Sequence, residues 1–429
     1  MGKTNQAWKK LDEQFHIREK LKAGATIPIS ARQIKQHTGR EPRLMMKFDF
    51  REQRPSVIKD ATIFPVTNGE YLIVPGDGYH SVEILPTRVH SWEPTEQSLK
   101  LESLPWEDGP VSESQLIDMA HASGVLGEFL SEKKLYLTIR GRRRAPEFSF
   151  QFGSMGSERQ VHVDGVQVEV DAGYEGEALH LLEAKMGVRN DFHVRQLYYP
   201  LRMWQQILPH KKIQTVFLSY SDKVLSLRLY EFSNLERIHS IRLVKALDVT
   251  FDQEIAVPSL NQVLRETRLQ SPPPGVTFPQ ADDLAKVLDL VDAVAAGITE
   301  VEDLVDRYEF SERQAAYYTS AAKYIGFLVP NTHDRKLTTL GMKLSRSSLL
   351  KRRTIVVEAL ARLPVFREML EHIDKAGNTE MDRELIATNI SLVTAKYNLP
   401  LNKVTANRRA STVIGWGRWI VEKLALNQI

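Results

Sequence analysis

Residues 166–204 read VQVEVDAGYEGEALHLLEAKMGVRNDFHVRQLYYPLRMW, and the fold turns on this stretch. Side chains on a strand alternate faces with a period of two. Over 166–171 the alternation puts Val166, Val168 and Val170 on one face and Gln167, Glu169 and Asp171 on the other. Over 179–185 it puts Leu179, Leu181, Glu183 and Lys185 on one face, opposite His180, Leu182 and Ala184. A hairpin turning across 173–177 brings Asp171 and Glu183 together at one end of the pair. Asp191 is the expected N-cap of a following helix, which Pro200 ends or kinks. Two more strands are expected over 213–220 and 224–232.

An Asp on one strand and Glu-x-Lys on the next crowd carboxylates around an amine. Such a group calls for a cation or a proton to balance it. Hard oxygen donors at a hydrated site suit Mg²⁺. A bound Mg²⁺ polarises a phosphoryl oxygen, acidifies an attacking water and neutralises a leaving alkoxide. On that chemistry Asp171 and Glu183 hold the ion with the Ala184 carbonyl as a further ligand, and Glu169 stands behind them as an outer-shell group. Lys185 orients the water or stabilises the phosphorane. A solvated hairpin with charged outward positions fits the same alternation, and an isolated D…ExK recurs by chance.

The order strand, strand, helix, strand, strand resembles the common core of the PD-(D/E)xK nucleases. The block VEVDAGYEG…EAK…DFHVRQLYYPLR is similar to a group of type II restriction endonucleases in that superfamily. The resemblance extends to ISARQIKQHTGREPRLMMKFD (29–49), LTIRGRRRAPEFSFQF (137–152) and ANRRASTVIGWGRWI (406–420). It implies a catalytic set of Asp171, Glu183 and Lys185, supported by Gln196 on the following helix. Val170 stands where the superfamily label has proline.

A chain of 429 residues can form two or three domains. It contains no cysteine, which excludes disulfides, thiolate catalysis and Cys-based zinc sites. The first residues carry neither a secretory apolar segment nor the myristoylation pattern, because Gln6 stands where Ser or Thr is required. No apolar run approaches a membrane span, and a cytoplasmic protein is expected. The net charge is only +3, but it is unevenly spread. Arg140, Arg142, Arg143 and Arg144 are clustered, and a second basic run extends from Arg335 to Arg353. Phosphate binding needs such local fields, so Arg142, Arg143 and Arg144 are candidate DNA contacts. Solvated surface is the alternative. There is no Walker A loop, GxGxxG, GxSxG or HExxH.

Four regions are expected. Residues 1–111 form an N-terminal α+β region, a candidate for DNA recognition, with one amphipathic helix over 1–24, a short helix over 30–36 and a hairpin at Asn68-Gly69. Residues 112–270 form the PD-(D/E)xK domain, opening with a helix over 112–131, its regular structure ending near Val257. Ser271–Gly275 (SPPPG) reads as a linker. Residues 276–350 fit a winged helix-turn-helix, with a turn at 309–310, a capping box at Ser311/Gln314 and a wing over 327–329 and 336–340. Arg313 and Gln314 are its candidate base contacts. Residues 351–429 are helical, with Arg408 and Arg409 as DNA contacts and Val413, Trp416, Trp419 and Ile420 as a buried stripe.

The expected function is a sequence-specific, Mg²⁺-dependent endonuclease of double-stranded DNA. A homodimer on a palindromic site, with a cognate DNA methyltransferase guarding the host, completes that expectation. The alternatives are a repair or modification-dependent nuclease of the same superfamily, and a non-catalytic winged-helix DNA-binding regulator.

Overall fold

The computed structural model describes residues 3–82, 88–106, 108–153, 156–252, 258–308, 311–397 and 399–425. The turn expected at 309–310 and the boundary at Val257 lie outside them. The fold is α+β. Its centre is a seven-stranded mixed sheet of β1 (Val89–Ser91), β2 (Tyr136–Arg144), β3 (Gln167–Glu175), β4 (Leu179–Met186), β5 (Ile213–Ser221), β6 (Val224–Phe232) and β7 (Ile241–Thr250). The spatial order is β1-β7-β6-β5-β4-β3-β2. The β4–β5 and β7–β1 pairs are parallel, and the other neighbours are antiparallel.

Helix α1 (Glu113–Ala122) and the helix Val125–Leu130 cover one face of this sheet. Helix α2 (Arg195–Ile207) and the hairpin of Phe148–Phe152 with Arg159–Val163 cover the other. Covered on both sides, β4 is buried along its whole length, Glu183 and Lys185 included. A buried strand is normally apolar, so these two charges are the anomaly of the sheet.

The hairpin differs from expectation in its turn. β3 runs on to Glu175, and Leu179 pairs with Glu175, leaving the connection to 176–178. Gly173 is a strand residue opposite Leu181 and Ile139. A Cβ there would stand 2.8 Å from Ile139 Cβ, so the glycine serves close packing rather than a turn. Asp191 is not an N-cap. Residues Asp191–His193 form a short strand against Tyr79–Ser81, and the Asp191 carboxylate accepts from Arg51 N at 3.0 Å and Arg51 Nη1 at 3.2 Å. α2 starts at Arg195 and carries Pro200 within it without stopping.

The N-terminal unit packs helices Lys3–Phe15 and Ala31–Thr38 on a three-stranded sheet of Ile27–Ser30, Glu70–Pro75 and Ala61–Thr67. Its hairpin turns at Asn68-Gly69 as expected, with Gly69 at φ 96°. The single helix expected over 1–24 is broken at His16, whose φ is 52°, and restarts at Ile17 with Arg18 N donating to Asp12 Oδ1 at 2.8 Å. The helix expected over 112–131 is likewise two, broken at Gly124 with φ 82°.

In the C-terminal part, one hydrophobic cluster runs from Val263 to Ile420. It contains helices α3 (Leu284–Ala295), α4 (Glu312–Ile325), α5 (Leu349–Ala361) and α6 (Lys403–Ala425). Val276, Phe278 and Ala281, just past the SPPPG stretch, are packed into it. The two-stranded wing expected over 327–329 and 336–340 is not formed as strands. Leu328 and Leu337 make a single bridge, and the chain then enters helix Thr339–Ser345, capped by the Thr338 hydroxyl. Val413, Trp416, Trp419 and Ile420 are buried as the spacing requires. Among the described residues no helix is long and apolar enough to cross a membrane.

Candidate active site

The β3–β4 ladder ends at the Ala172–Leu182 pair. One residue beyond it, Asp171 engages the neighbouring strand through its side chain, and Ala184 N donates to Asp171 Oδ2 at 2.9 Å. Leu182 and Ala184 point into the core beneath α1. The alternation therefore turns Glu183 and Lys185 to the opposite face, beside Asp171. Lys185 Nζ donates to Glu183 Oε1 at 2.7 Å, and Gln196 Nε2, from the first turn of α2, donates to the same oxygen at 2.6 Å. Asp171, Glu183, Lys185 and Gln196 thus meet in one cleft of about 590 Å³.

Electrostatics mark this cleft. Burial, then the Asp171 charge, push the Glu183 carboxyl up to about 8 against the pull of Lys185. Glu113, at the start of α1 and 3.7 Å from Lys185 Nζ, is also raised, mainly by burial. Asp49 is the counterexample. Burial opposes its charge, but Lys47, Lys185 and Arg195 outweigh that and hold it at about 2. Lys47 Nζ stands 2.9 Å from Asp49.

Asp49, Lys47, Glu113 and Arg195 are members of the cleft that sequence reasoning missed. Arg195 stands beside Gln196, and Asp49 closes the 29–49 segment that was singled out. Glu113 had no local signal, because only the fold brings it to Lys185. The N-terminal unit also contributes Arg43, Asn68 and Tyr71 to the wall.

The remaining candidates fall in different places. Glu169 is exposed at the rim and ion-paired with Arg142 at 3.0 Å. Both line the cleft. Arg143 lies over the Trp204 ring at 5.2 Å, and Arg144 is exposed on the edge strand β2. Arg313 donates to the Tyr317 hydroxyl at 2.6 Å. Gln314 closes the capping box with Ser311 and reaches Glu52 at 3.3 Å. Arg408 is exposed in a second cleft. Arg409 is committed to structure, donating to the Phe278 carbonyl.

Among the described residues no group of three or more His, Cys, Asp or Glu side chains is gathered as a cage for a metal. Mg²⁺ needs less than a cage, since one or two carboxylates with water and phosphate oxygens suffice. Asp171, Glu183 and the Ala184 carbonyl match that modest donor set, and the buried Gln196 Oε1 has no hydrogen-bond partner.

Three domain models match the chain, each described as a domain of unknown function. DUF6996 matches residues 5–73, DUF6997 matches 75–249, and DUF7226 matches 286–425. No curated protein and no solved structure matches.

Proposed function

We propose that this chain is a sequence-specific endonuclease of double-stranded DNA, of the type II restriction kind, built on a PD-(D/E)xK core. One observation carries the proposal: Asp171, Glu183, Lys185 and Gln196 converge at the end of a buried hairpin, in a cleft that also holds Arg142. Asp171 and Glu183 would hold Mg²⁺ with the Ala184 carbonyl. When bound, the ion supplies Lewis-acid activation of the phosphate and lowers the pKa of the attacking water.

The chain's own groups have distinct tasks. Lys185 presents an ammonium to the non-bridging phosphate oxygens and to the attacking water. Gln196 holds Glu183 in one orientation, so that its second oxygen stays turned to the cleft. Arg142, Lys47 and Arg195 give the walls a positive field for the phosphate backbone. Helices α3, Val301–Tyr308 and α4, followed by the Leu328–Leu337 bridge, support a reduced winged-helix element for recognition. A homodimer would place two such sites on a palindrome, and a separate methyltransferase would protect host DNA.

The test is digestion of unmethylated plasmid and phage DNA with Mg²⁺, with EDTA, and with the Lys185→Ala variant. Discrete fragments that need Mg²⁺ and disappear in the variant are expected. A smear without fixed ends would favour a repair-type nuclease of the same superfamily. Intact DNA under all conditions, methylated substrates included, would sink the catalytic proposal.

A further inference from the structure

A second cleft, of about 1470 Å³, lies between the sheet and the C-terminal helices. Its wall on the sheet side includes Ser219, Ser221 and Arg228, and its helical wall comes from α3, α4 and α6. It adjoins the first cleft. Lys185 lines one, and Gly187, Val188 and Arg189 line the other.

The charges lining it sort into two groups. Three of the acids lining it are already answered. Asp248 takes Arg228 at 2.7 and 3.1 Å, Glu52 takes Lys286 at 2.7 Å, and Asp222 takes Arg352 at 2.8 Å. The cations on the helical wall are not. Arg408 and Arg418 are exposed and form no ion pair among the described residues, and Arg383 meets only Asn407 and Ser411. The acids on that wall are Glu422, further along α6, and Asp282 and Asp283 at the start of α3, of which Asp283 faces Lys286 at 4.0 Å.

Their spacing is regular. Arg408, Ser411, Gly415 and Arg418 recur at intervals of three and four along α6 and line the cleft together. Ten residues of helix separate the two arginines by ~15 Å along the axis, comparable to the roughly 12 Å width of the DNA major groove. Gly415, between the two arginines, packs against the start of α3. A Cβ there would meet the Asp282 carbonyl at 2.2 Å, so only glycine lets the two segments approach, and Arg408 and Arg418 flank that contact. Gln314 and Tyr317 of α4 reach the same cleft.

We infer that this second cleft is a binding site for duplex DNA, with Arg408 and Arg418 of α6 on the phosphates and α4 beside them. The inference rests on DNA as the ligand proposed above, but not on its hydrolysis. It assigns binding to a site whose cations lie outside the Asp171–Lys185 cleft. It also separates Arg408, which faces the ligand, from Arg409, which ties α6 to the Phe278 carbonyl.

The experiment is a fluorescence-anisotropy titration of a labelled 30-base-pair duplex of random sequence, in EDTA, against the full chain carrying Lys185→Ala. Arg408→Ala/Arg418→Ala is added to that background, and Arg408→Lys/Arg418→Lys is the control for folding and charge. The alanine pair is expected to weaken binding about 10-fold or more and to reduce the slope of log K against log salt by about 1.8, near 0.9 per lost phosphate contact. The lysine pair keeps the slope. An unchanged slope in the alanine pair overturns the assignment, as does a parent chain that binds no duplex. The endonuclease proposal fails separately: binding lost with the alanine pair while the wild type cuts nothing in Mg²⁺ leaves this site standing and removes only the hydrolysis.

Discussion

Two clusters of buried charge lie in this molecule, and they are balanced differently. Arg352 of α5 is fully buried, with Nε on Asp222 Oδ1 and Nη1 and Nη2 on the two Asp292 oxygens, all at 2.8 Å. Burial works against the Arg352 charge, and Asp292 and Asp222 more than restore it. This cluster joins the turn after β5 to α3 and α5, and the protein supplies both signs of charge. Around Lys185 one ammonium is shared, by Glu183 at 2.7 Å and Glu113 at 3.7 Å, with Asp171 in the same cleft. Glu183 and Glu113 both ionise less readily than usual, burial being the main cause in each, as it is for Asp292 in the first cluster, whereas Lys47, Lys185 and Arg195 keep Asp49 charged. Charge that a fold balances for itself holds the fold together. Charge left for a ligand to balance marks a place where chemistry is expected.

The sharpest way to break this contrast is to remove one cation from each cluster. Arg352→Met leaves the buried Asp222 with only the more distant Arg353, at 3.8 Å, and half-buried Asp292 without its two-pronged partner, and should destabilise the chain by about 3 kcal/mol. Lys185→Met also breaks a buried pair, with Glu183 at 2.7 Å, but Glu183 can hold a proton instead. The loss of stability should therefore be smaller, about 1–2 kcal/mol. DNA cleavage should fall by about 10³-fold or more, as loss of a group acting directly on the transition state does. Thermal unfolding and cleavage assays on the two variants read both quantities. Equal losses of stability would erase the distinction between the clusters.

Protons give a finer test. The Glu183 carboxyl ionises near 8 in the folded chain against an ordinary 4.5. The folded state therefore keeps a proton that the unfolded state has lost, and stability contributed by this group falls as pH rises from about 4.5 to about 8. Glu183→Gln cannot ionise. It should unfold at the same temperature as the wild type near pH 5, and roughly 3 °C higher at pH 8 in EDTA. Millimolar Mg²⁺ should narrow that gap at pH 8 by favouring the carboxylate of the wild type. A melting difference that ignores both pH and Mg²⁺ would mean that Glu183 is balanced within the protein, as Arg352 balances Asp222.

Local pattern carried much of this architecture. Period-two alternation located β3 to β6, and Asn68-Gly69 located the N-terminal hairpin, because both signals lie in consecutive residues. The misplacements have long-range causes. Gly173 resembles a turn residue until Ile139 is packed against it. Asp191 has the chemistry of an N-cap, but Arg51, 140 residues away in sequence, claims its carboxylate. The grouping of Asp171, Glu183 and Lys185 follows from alternation plus one hairpin. Glu113 and Asp49 join them only through the packing of α1 and the N-terminal unit, which no nearby residue announces. The same holds for α6: its buried Trp416 and Trp419 follow from helical spacing, whereas the different fates of Arg408 and Arg409 depend on Phe278.

Asp289 of α3 offers the smallest expected effect and separates charge from hydrogen bonding. It lies near the Arg352 cluster and also touches the strand carrying Lys185. Its Oδ2 accepts from Val188 N at 2.8 Å, three residues beyond Lys185, and its Oδ1 accepts from Ser221 Oγ at 2.7 Å. Burial pushes its carboxyl up to about 7, so ionisation is opposed near neutral pH. What Asp289 contributes is then two acceptor positions. Asparagine keeps the oxygen for Val188 N and can donate to Ser221 Oγ once that hydroxyl rotates, so Asp289→Asn should cost under ~1 kcal/mol. Alanine leaves the Val188 N–H and the Ser221 hydroxyl unpaired and should cost about 1–3 kcal/mol, with a few-fold fall in kcat and little change in KM as the segment after Lys185 loosens. If asparagine is as damaging as alanine, Asp289 acts through its charge, and the balanced cluster extends from Arg352 to the strand that bears Lys185.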